Sequence, residues 1–306
     1  MKAIVGYTGF VGSNIYEHGD FGAAYNTKNI AEAYGTEPEL LVYAGLRAEK
    51  FLANSMPERD MQLIAEAERN IERIKPKRLV LISTIDVFKT PVGVDETTPL
   101  DESALQPYGY NRAQLEKHVR AAYPDALIVR LPGLFGKNIK KNFIYDYIKR
   151  IPSMLKNDKF AELSAAEPGL CDFYAPQDNG FYKCRPLDAE ETARLKAILE
   201  KVRFSALNFT DSRSTYQFYP LRRLWGDIET ALDNGLTLFH PATEPVSAGE
   251  LYKFLTGEDF VNELSALPAV YDYKTVHSAL FGRGDGYIMG KTEVMHEIRD
   301  FTEAQK

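Results

Sequence analysis

Glycines at positions 6, 9 and 12 directly follow the apolar run Ala3-Ile4-Val5, and this junction constrains the chain more than any other segment. The run reads as a short buried strand, and the stretch from about Phe10 to His18 reads as the helix that follows. Gly6 and Gly9 allow the backbone to turn without a Cβ in the way, and Gly12 lets the helix lie close against the sheet. A helix N-terminus aimed at such a turn favours an anion, so the expected ligand is the pyrophosphate of a dinucleotide. Its backbone contacts would come from Gly6, Thr8, Gly9, Phe10, Val11 and Gly12. The spacing is Gly-x-x-Gly-x-x-Gly, which departs from the Gly-x-Gly-x-x-Gly fingerprint. The position between a strand and a helix therefore carries more of the argument than the glycines do.

A chain of 306 residues with 44% hydrophobic and 26% charged content can bury a large core, as one big domain or two unequal ones. A net charge of -6 argues against a nucleic acid or an anionic membrane as the main partner, which leaves a small molecule. Cys171 and Cys184 lack metal-ligand or disulfide-framework spacing, so no metal is expected. The segment Met-Lys-Ala-Ile-Val-Gly does not read as a signal peptide, and no apolar run reaches membrane-spanning length. The expectation is a cytoplasmic protein with reduced thiols.

Short apolar runs at Phe21–Asn26, Leu40–Ala44, Arg78–Ser83 and Ala126–Leu131 read as further strands. Helical patterns separate them, the clearest over Pro57–Ile74, where Met61, Ile64, Ala67, Ile71 and Ile74 recur at three- and four-residue steps before Lys75-Pro76. A second helix is expected from Tyr108 to Ala122. This alternation predicts an α/β fold of Rossmann type: a doubly wound parallel sheet with a ligand crevice at the carboxyl ends of its strands. Residues 1–150 are assigned to this dinucleotide-binding domain. Residues 151–306 are assigned mainly to a smaller C-terminal α+β substrate lobe, with some segments returning to the main sheet. There a charged helix is expected over Asp188–Val202, a strand over Phe204–Phe209, a helix over Leu221–Asn234 and a strand over Leu236–Phe239. A capped helix is expected from Ser247, with Glu250 completing the cap. His240 and His277 read as structural, and Phe173, Tyr174, Phe181 and Tyr182 either line a pocket or pack the small lobe.

Five segments then agree in order with one known family. They are the glycine turn, Leu-Val-Tyr-Ala-Gly-Leu at 41–46, Ser-Thr-Ile-Asp-Val-Phe at 83–88, Tyr-Gly-Tyr-Asn-Arg-Ala-Gln-Leu-Glu at 108–116 and Val-Arg-Leu-Pro-Gly-Leu-Phe-Gly at 129–136. Together with Pro-Val-Ser-Ala-Gly-Glu-Leu at 245–251, they resemble the extended, sugar-nucleotide-modifying branch of the short-chain dehydrogenase/reductase superfamily. In layout they are most similar to the dTDP-4-dehydrorhamnose reductase group. The resemblance is good to about residue 150 and patchy beyond.

The resemblance implies an NAD(P)-dependent oxidoreductase or epimerase acting on a nucleotide-linked sugar, with Tyr108 as general acid/base and Thr84 holding the reacting oxygen. The family's Tyr-x-x-x-Lys is here Tyr-x-x-x-Arg. Arg112 would supply the charge that lowers the tyrosine pKa and the hydrogen bonds to the nicotinamide ribose, but a guanidinium cannot readily relay a proton. Reprotonation of Tyr108 would then come from water or another group. Ala44, Gly45, Leu46, Ser83, Pro132 and Gly133 are expected beside the cofactor. The second strand ends in Tyr25-Asn26-Thr27-Lys28 without a carboxylate, which favours NADP(H), with Asn26 and Lys28 near the 2′-phosphate, and leaves NAD(H) open. Asp86, Asn142, Arg213 and Tyr216 are candidate substrate contacts. The family also implies a homodimer through the Pro57 and Tyr108 helices. The Arg112 departure motivates an alternative: a cofactor-binding regulatory or structural protein with weak or no catalysis.

Overall fold

The computed structural model describes residues 1–305. It contains two compact units, the first made of Met1–Ile139, Thr215–Val246 and Val270–Phe301. At its centre is an all-parallel sheet of β1 (Lys2–Val5), β2 (Ala23–Tyr25), β3 (Leu40–Tyr43), β4 (Leu79–Thr84) and β5 (Leu127–Leu131), with a sixth strand at Leu238–Phe239. Their spatial order is Leu238–Phe239, β5, β4, β3, β1, β2. The chain passes from β1 to β2 on one side and then crosses back to β3 on the other. This reversal puts a crevice between the carboxyl ends of β1 and β3, where open α/β sheets bind ligands.

Alternation along the strands divides the core. Ala3, Val5, Leu41, Tyr43, Leu79 and Leu81 face α3 (Pro57–Ile74) and α4 (Pro107–Ala122) in one apolar cluster with Ile64, Ala67, Ile71, Leu115 and Val119. The intervening Ile4, Val42 and Val80 are fully buried on the opposite face, where α1 (Phe10–His18) and the helix Leu224–Asp233 pack. The sheet is thus covered on both sides, as its continuous apolar strands require. Helix α3 spans the expected residues and stops where Lys75 turns left-handed, at φ 56°, before Pro76. Among the described residues no helix is long and apolar enough to cross a membrane.

Beneath α4 lies a buried ion pair. The Arg130 guanidinium donates to both Glu116 carboxylate oxygens, with its closest bond at 2.6 Å, and Ser83 Oγ donates to Glu116 Oε1 at 2.5 Å. His240, fully buried, touches Arg130 at 3.4 Å and is held well down, to about 3, by burial and then by that guanidinium. It is a neutral structural histidine, as expected.

The second unit contains Lys140–Ser214 and Ser247–Ala269. Its antiparallel sheet orders Met154–Lys156, Phe181–Cys184 and Tyr174–Pro176, with the helices Phe143–Lys149, Asn157–Ala166, Ala189–Lys201 and Ala248–Thr256. Phe173 and Tyr174 belong to its core, and Tyr182 stacks on Phe160 with 3.7 Å between ring centroids, so these aromatics pack the unit. The Ser247–Glu250 capping box forms as expected. The strand expected over Phe204–Phe209 does not form. Ser205 Oγ accepts from Leu207 N at 3.3 Å and Asn208 Oδ1 accepts from Ser205 N at 2.8 Å, and these local bonds wind Ala206–Phe209 into a single-turn 3-10 helix.

Two stability predictions follow from buried charge. Arg130→Ala strands the Glu116 carboxylate in the core and is expected to cost about 3–5 kcal/mol in urea unfolding. In the second unit, burial lifts the Asp146 carboxyl to about 7. Folded protein then holds a proton that unfolded chain releases near pH 4, so this group's contribution is full below about pH 4 and fades as pH rises to about 7. Asp146→Asn should flatten that slope and stabilise the protein above about pH 7, as read by thermal unfolding across pH.

Candidate functional site

All groups described first belong to the first unit. The glycine turn sits at the β1/β3 crevice and is built on close backbone contact. Gly6 has φ +93°, and a Cβ there would lie 2.4 Å from the Ala44 carbonyl oxygen. A Cβ on Gly12 would lie 2.1 Å from the Gly6 oxygen, so only glycine allows α1 this near β1. Gly9 caps α1 without a side-chain hydrogen bond, and no acidic residue occupies the first turn, so the helix N-terminus stays electropositive. Ala44 and Gly45 pack directly against Gly6 on the other side of this turn.

The phenol of Tyr108 is 7% exposed at the start of α4. The Thr84 side chain at the end of β4 lies beside it and favours the phenolate, while Thr84 Oγ1 accepts from Asp86 N at 3.2 Å. The approach depends on Gly109, whose added Cβ would stand 2.0 Å from the Asp86 carbonyl oxygen. Asp86 Oδ1 accepts from Lys50 Nζ at 2.9 Å and from the Tyr271 hydroxyl at 3.1 Å. Tyr216 stacks on Tyr271, with ring centroids 6.3 Å apart. Thr84, Asp86, Tyr108, Tyr216, Tyr271 and Lys50 therefore form one polar, aromatic cluster at the carboxyl end of β4.

Arg112 lowers the Tyr108 phenol by its charge, as expected, but does not set the direction of the net shift. Its guanidinium lies 4.1 Å from the Tyr108 ring centroid, yet it is 4% exposed and bonded to Asp60, which also takes Asn111 Nδ2 at 2.8 Å. A second Arg112 bond, at 2.7 Å, goes to the Arg47 carbonyl. Burial raises the Tyr108 phenol above its ordinary range, outweighing the lowering by Arg112; Asp86 adds to the rise, and Thr84 and Lys50 oppose it. The expected depression is therefore corrected to an elevation. The cause is desolvation first, with the nearby Asp86 carboxylate adding to it.

Other expected contacts are committed elsewhere. The Ser83 hydroxyl belongs to the buried Glu116 network. Leu46 packs against the apolar cluster under α3 and α4. Gly133, just after Pro132, pairs in parallel with Phe218, and a Cβ would come within 2.9 Å of the Gln217 oxygen. Asn26 Oδ1 accepts from Lys28 N at 2.9 Å in an exposed turn, so no carboxylate ends β2. In the second unit, Asn142 Oδ1 caps the helix Phe143–Lys149. Arg213 is held by Asp211 at 2.8 Å, Glu263 at 2.9 Å and the Ser265 carbonyl at 2.7 Å, so its charge is already balanced by carboxylates.

Sequence reasoning missed four residues in or beside the cluster. Asp60 carried a signal, since it falls on the same stripe of α3 as Ile64, Ala67, Ile71 and Ile74, where a carboxylate needs a partner. Lys50 and Asn54 also carried one, as polar residues four apart on the short helix α2 (Lys50–Ser55). Tyr271 had none, because only tertiary structure brings it to Asp86.

No family model matches the sequence, and no curated protein does either. Solved structures do match. A dTDP-4-dehydrorhamnose reductase from Bacillus anthracis in complex with NADP aligns at a TM-score of 0.62 and 16% identity, over 99% of this chain and 97% of that one. The Bordetella bronchiseptica enzyme WbmG in complex with NAD and UDP aligns at 0.63 and 13%, over 99% and 94%. A UDP-glucose 4-epimerase with UDP-glucose from Thermotoga maritima aligns at 0.62 and 12%, over 99% and 98%. The likeness is one of fold. It spans essentially the whole chain, including the stretch beyond residue 150 where sequence motifs thin out.

Gly109→Ala tests the packing at this site. In an ordinary helix the change would stabilise by about 1 kcal/mol. Here the Cβ must push α4 off Asp86, and the expected outcome is a loss of about 1–3 kcal/mol in urea unfolding.

Proposed function

We propose that this chain is an NAD(P)-dependent oxidoreductase or epimerase acting on a nucleotide-linked sugar, with Tyr108 as the general acid/base. One observation carries the reading: Tyr108 at the start of α4 lies beside Thr84 at the end of β4, in the same unit whose β1/β3 crevice holds the glycine turn. The fold shared with structures that bind NADP, NAD, UDP and UDP-glucose supports it. So does the order of the short-chain dehydrogenase/reductase segments in the sequence.

A bound nicotinamide would accept or donate hydride at the substrate carbon. The protein's part is to position and protonate. Thr84 holds the reacting oxygen, Tyr108 gives or takes its proton, and the raised phenol favours the protonated form, which suits the reductive direction. Asp86 and Tyr216 offer a hydrogen-bonding and stacking surface for a polyhydroxylated substrate. With Asn26 and Lys28 rather than a carboxylate after β2, the reading is NADP(H), and tighter binding of NADH than of NADPH would count against it. The resemblance also supports a homodimer through α3 and α4, which light scattering on the eluted protein will test.

A second reading keeps the cofactor and drops turnover. The net rise of the phenol favours it, since Arg112, paired with Asp60, lowers the phenol by less than burial raises it. Turnover decides between them. With dTDP-4-dehydrorhamnose and NADPH, the proposal predicts a net loss of reduced-nicotinamide absorbance for a reductase. Tyr108→Phe should lower kcat by about 10²–10⁴ while leaving NADPH affinity unchanged. A Tyr108→Phe enzyme as fast as wild type removes the mechanism, and tight NADPH binding without turnover on any nucleotide sugar favours the second reading.

A further inference from the structure

Resting on the reading of Tyr108 as the acid, we propose that Lys50 supplies the proton that reloads it. Helix α2 presents Lys50 and Asn54 four residues apart on one face. Asn54 Oδ1 accepts from the Tyr108 backbone N–H at 2.9 Å, so α2 is fastened to the start of α4. One turn earlier, Lys50 Nζ donates to Asp86 Oδ1 at 2.9 Å, and the Asp86 backbone is the surface on which Gly109 rests. Two contacts from one face of a six-residue helix thus bracket Tyr108.

The neighbours of the phenol narrow the choice of donor. Arg112, on its own helix, is buried against Asp60 and never gives up a proton at working pH. Asp86 is the acceptor of two bonds. Tyr271 donates to Asp86, and its phenol is pushed well above the ordinary range, chiefly by burial, which makes it a reluctant source. Thr84 is an alcohol. Lys50 is an ammonium on a flexible stem with 47% of its side chain exposed, so it reaches both the site and bulk water.

The step balances without any redox change. When Tyr108 protonates the substrate oxygen, its O–H bond breaks and a phenolate remains. One Nζ–H bond of Lys50 breaks and a new O–H bond forms on Tyr108. The neutral amine then takes a proton from water. Asp86 holds the ammonium in place.

Full-length wild type, Lys50→Arg, Lys50→Gln, Lys50→Ala and Tyr108→Phe form the test set. Without substrate, the ultraviolet titration of wild type minus Tyr108→Phe isolates the Tyr108 phenol. Lys50→Gln should move its midpoint upward by roughly half to one unit, while Lys50→Arg should not raise it. Midpoints unmoved by Lys50→Gln overturn the placement of the ammonium at the phenol. With dTDP-4-dehydrorhamnose and NADPH, the ratio of steady-state to first-turnover rate should fall about ten-fold in Lys50→Ala and in Lys50→Arg. Added methylamine should restore it in Lys50→Ala only. Wild-type turnover by Lys50→Arg, or no response of Lys50→Ala to methylamine, overturns the proposal. A Tyr108→Phe variant with a normal first turnover would instead overturn the parent reading, so the two failures separate.

Discussion

The contact between the Gly6 carbonyl and the backbone of α1 is the constraint on which the rest depends. With a Cβ at Gly12 standing 2.1 Å from that oxygen and a Cβ at Gly6 standing 2.4 Å from the Ala44 oxygen, the turn closes only when both positions are glycine. That closure lays α1 against the sheet, points its uncapped N-terminus at the crevice and brings the ends of β1 and β3 together. The first helical N–H groups have no side-chain cap, so the turn leaves them facing the crevice. The irregular spacing of the three glycines matters less than the fact that Gly6 and Gly12 each remove a specific clash.

A second balance governs the phenol. Burial raises Tyr108 by more than the nearest guanidinium, itself paired with Asp60, lowers it. A buried ion pair of this kind contributes little net stability relative to an apolar core, so its value lies in fixing Arg112, Asn111 and the start of α4 in one arrangement. The segment from Arg47 to Asp60 is accordingly more than a connection. It supplies the carbonyl of Arg47, the ammonium of Lys50, the amide of Asn54 and the carboxylate of Asp60, all directed at the helix that carries Tyr108 or at its Asp86 neighbour.

Local chemistry explains what could be read in advance. The three- and four-residue repeat of α3, its stop at Lys75-Pro76 and the Ser247–Glu250 cap are short-range signals, and each is realised in place. The nearness of Thr84 to Tyr108 was legible from the resemblance of their two segments to the short-chain dehydrogenase/reductase superfamily. The segment Phe204–Phe209 misled because its apolar content suits a strand, while the Ser205 and Asn208 side chains decide for a turn of helix. The state of Arg112 was illegible from its own position, since it depends on a carboxylate 52 residues earlier in the chain. Tyr271 is farther still, 185 residues from Asp86, and nothing in its immediate sequence distinguishes it from a packed aromatic.

The central claim is spatial: a dinucleotide laid along the glycine cradle brings its nicotinamide to the Tyr108 and Thr84 hydroxyls. A crystal structure of the full chain soaked with NADP tests this most directly. The account predicts the pyrophosphate against the backbone of Gly9 to Gly12, and nicotinamide C4 separated from the Tyr108 hydroxyl by only the space a carbonyl group would fill. A nicotinamide ring turned away from β4, or side chains of the protein occupying the cradle, would contradict it.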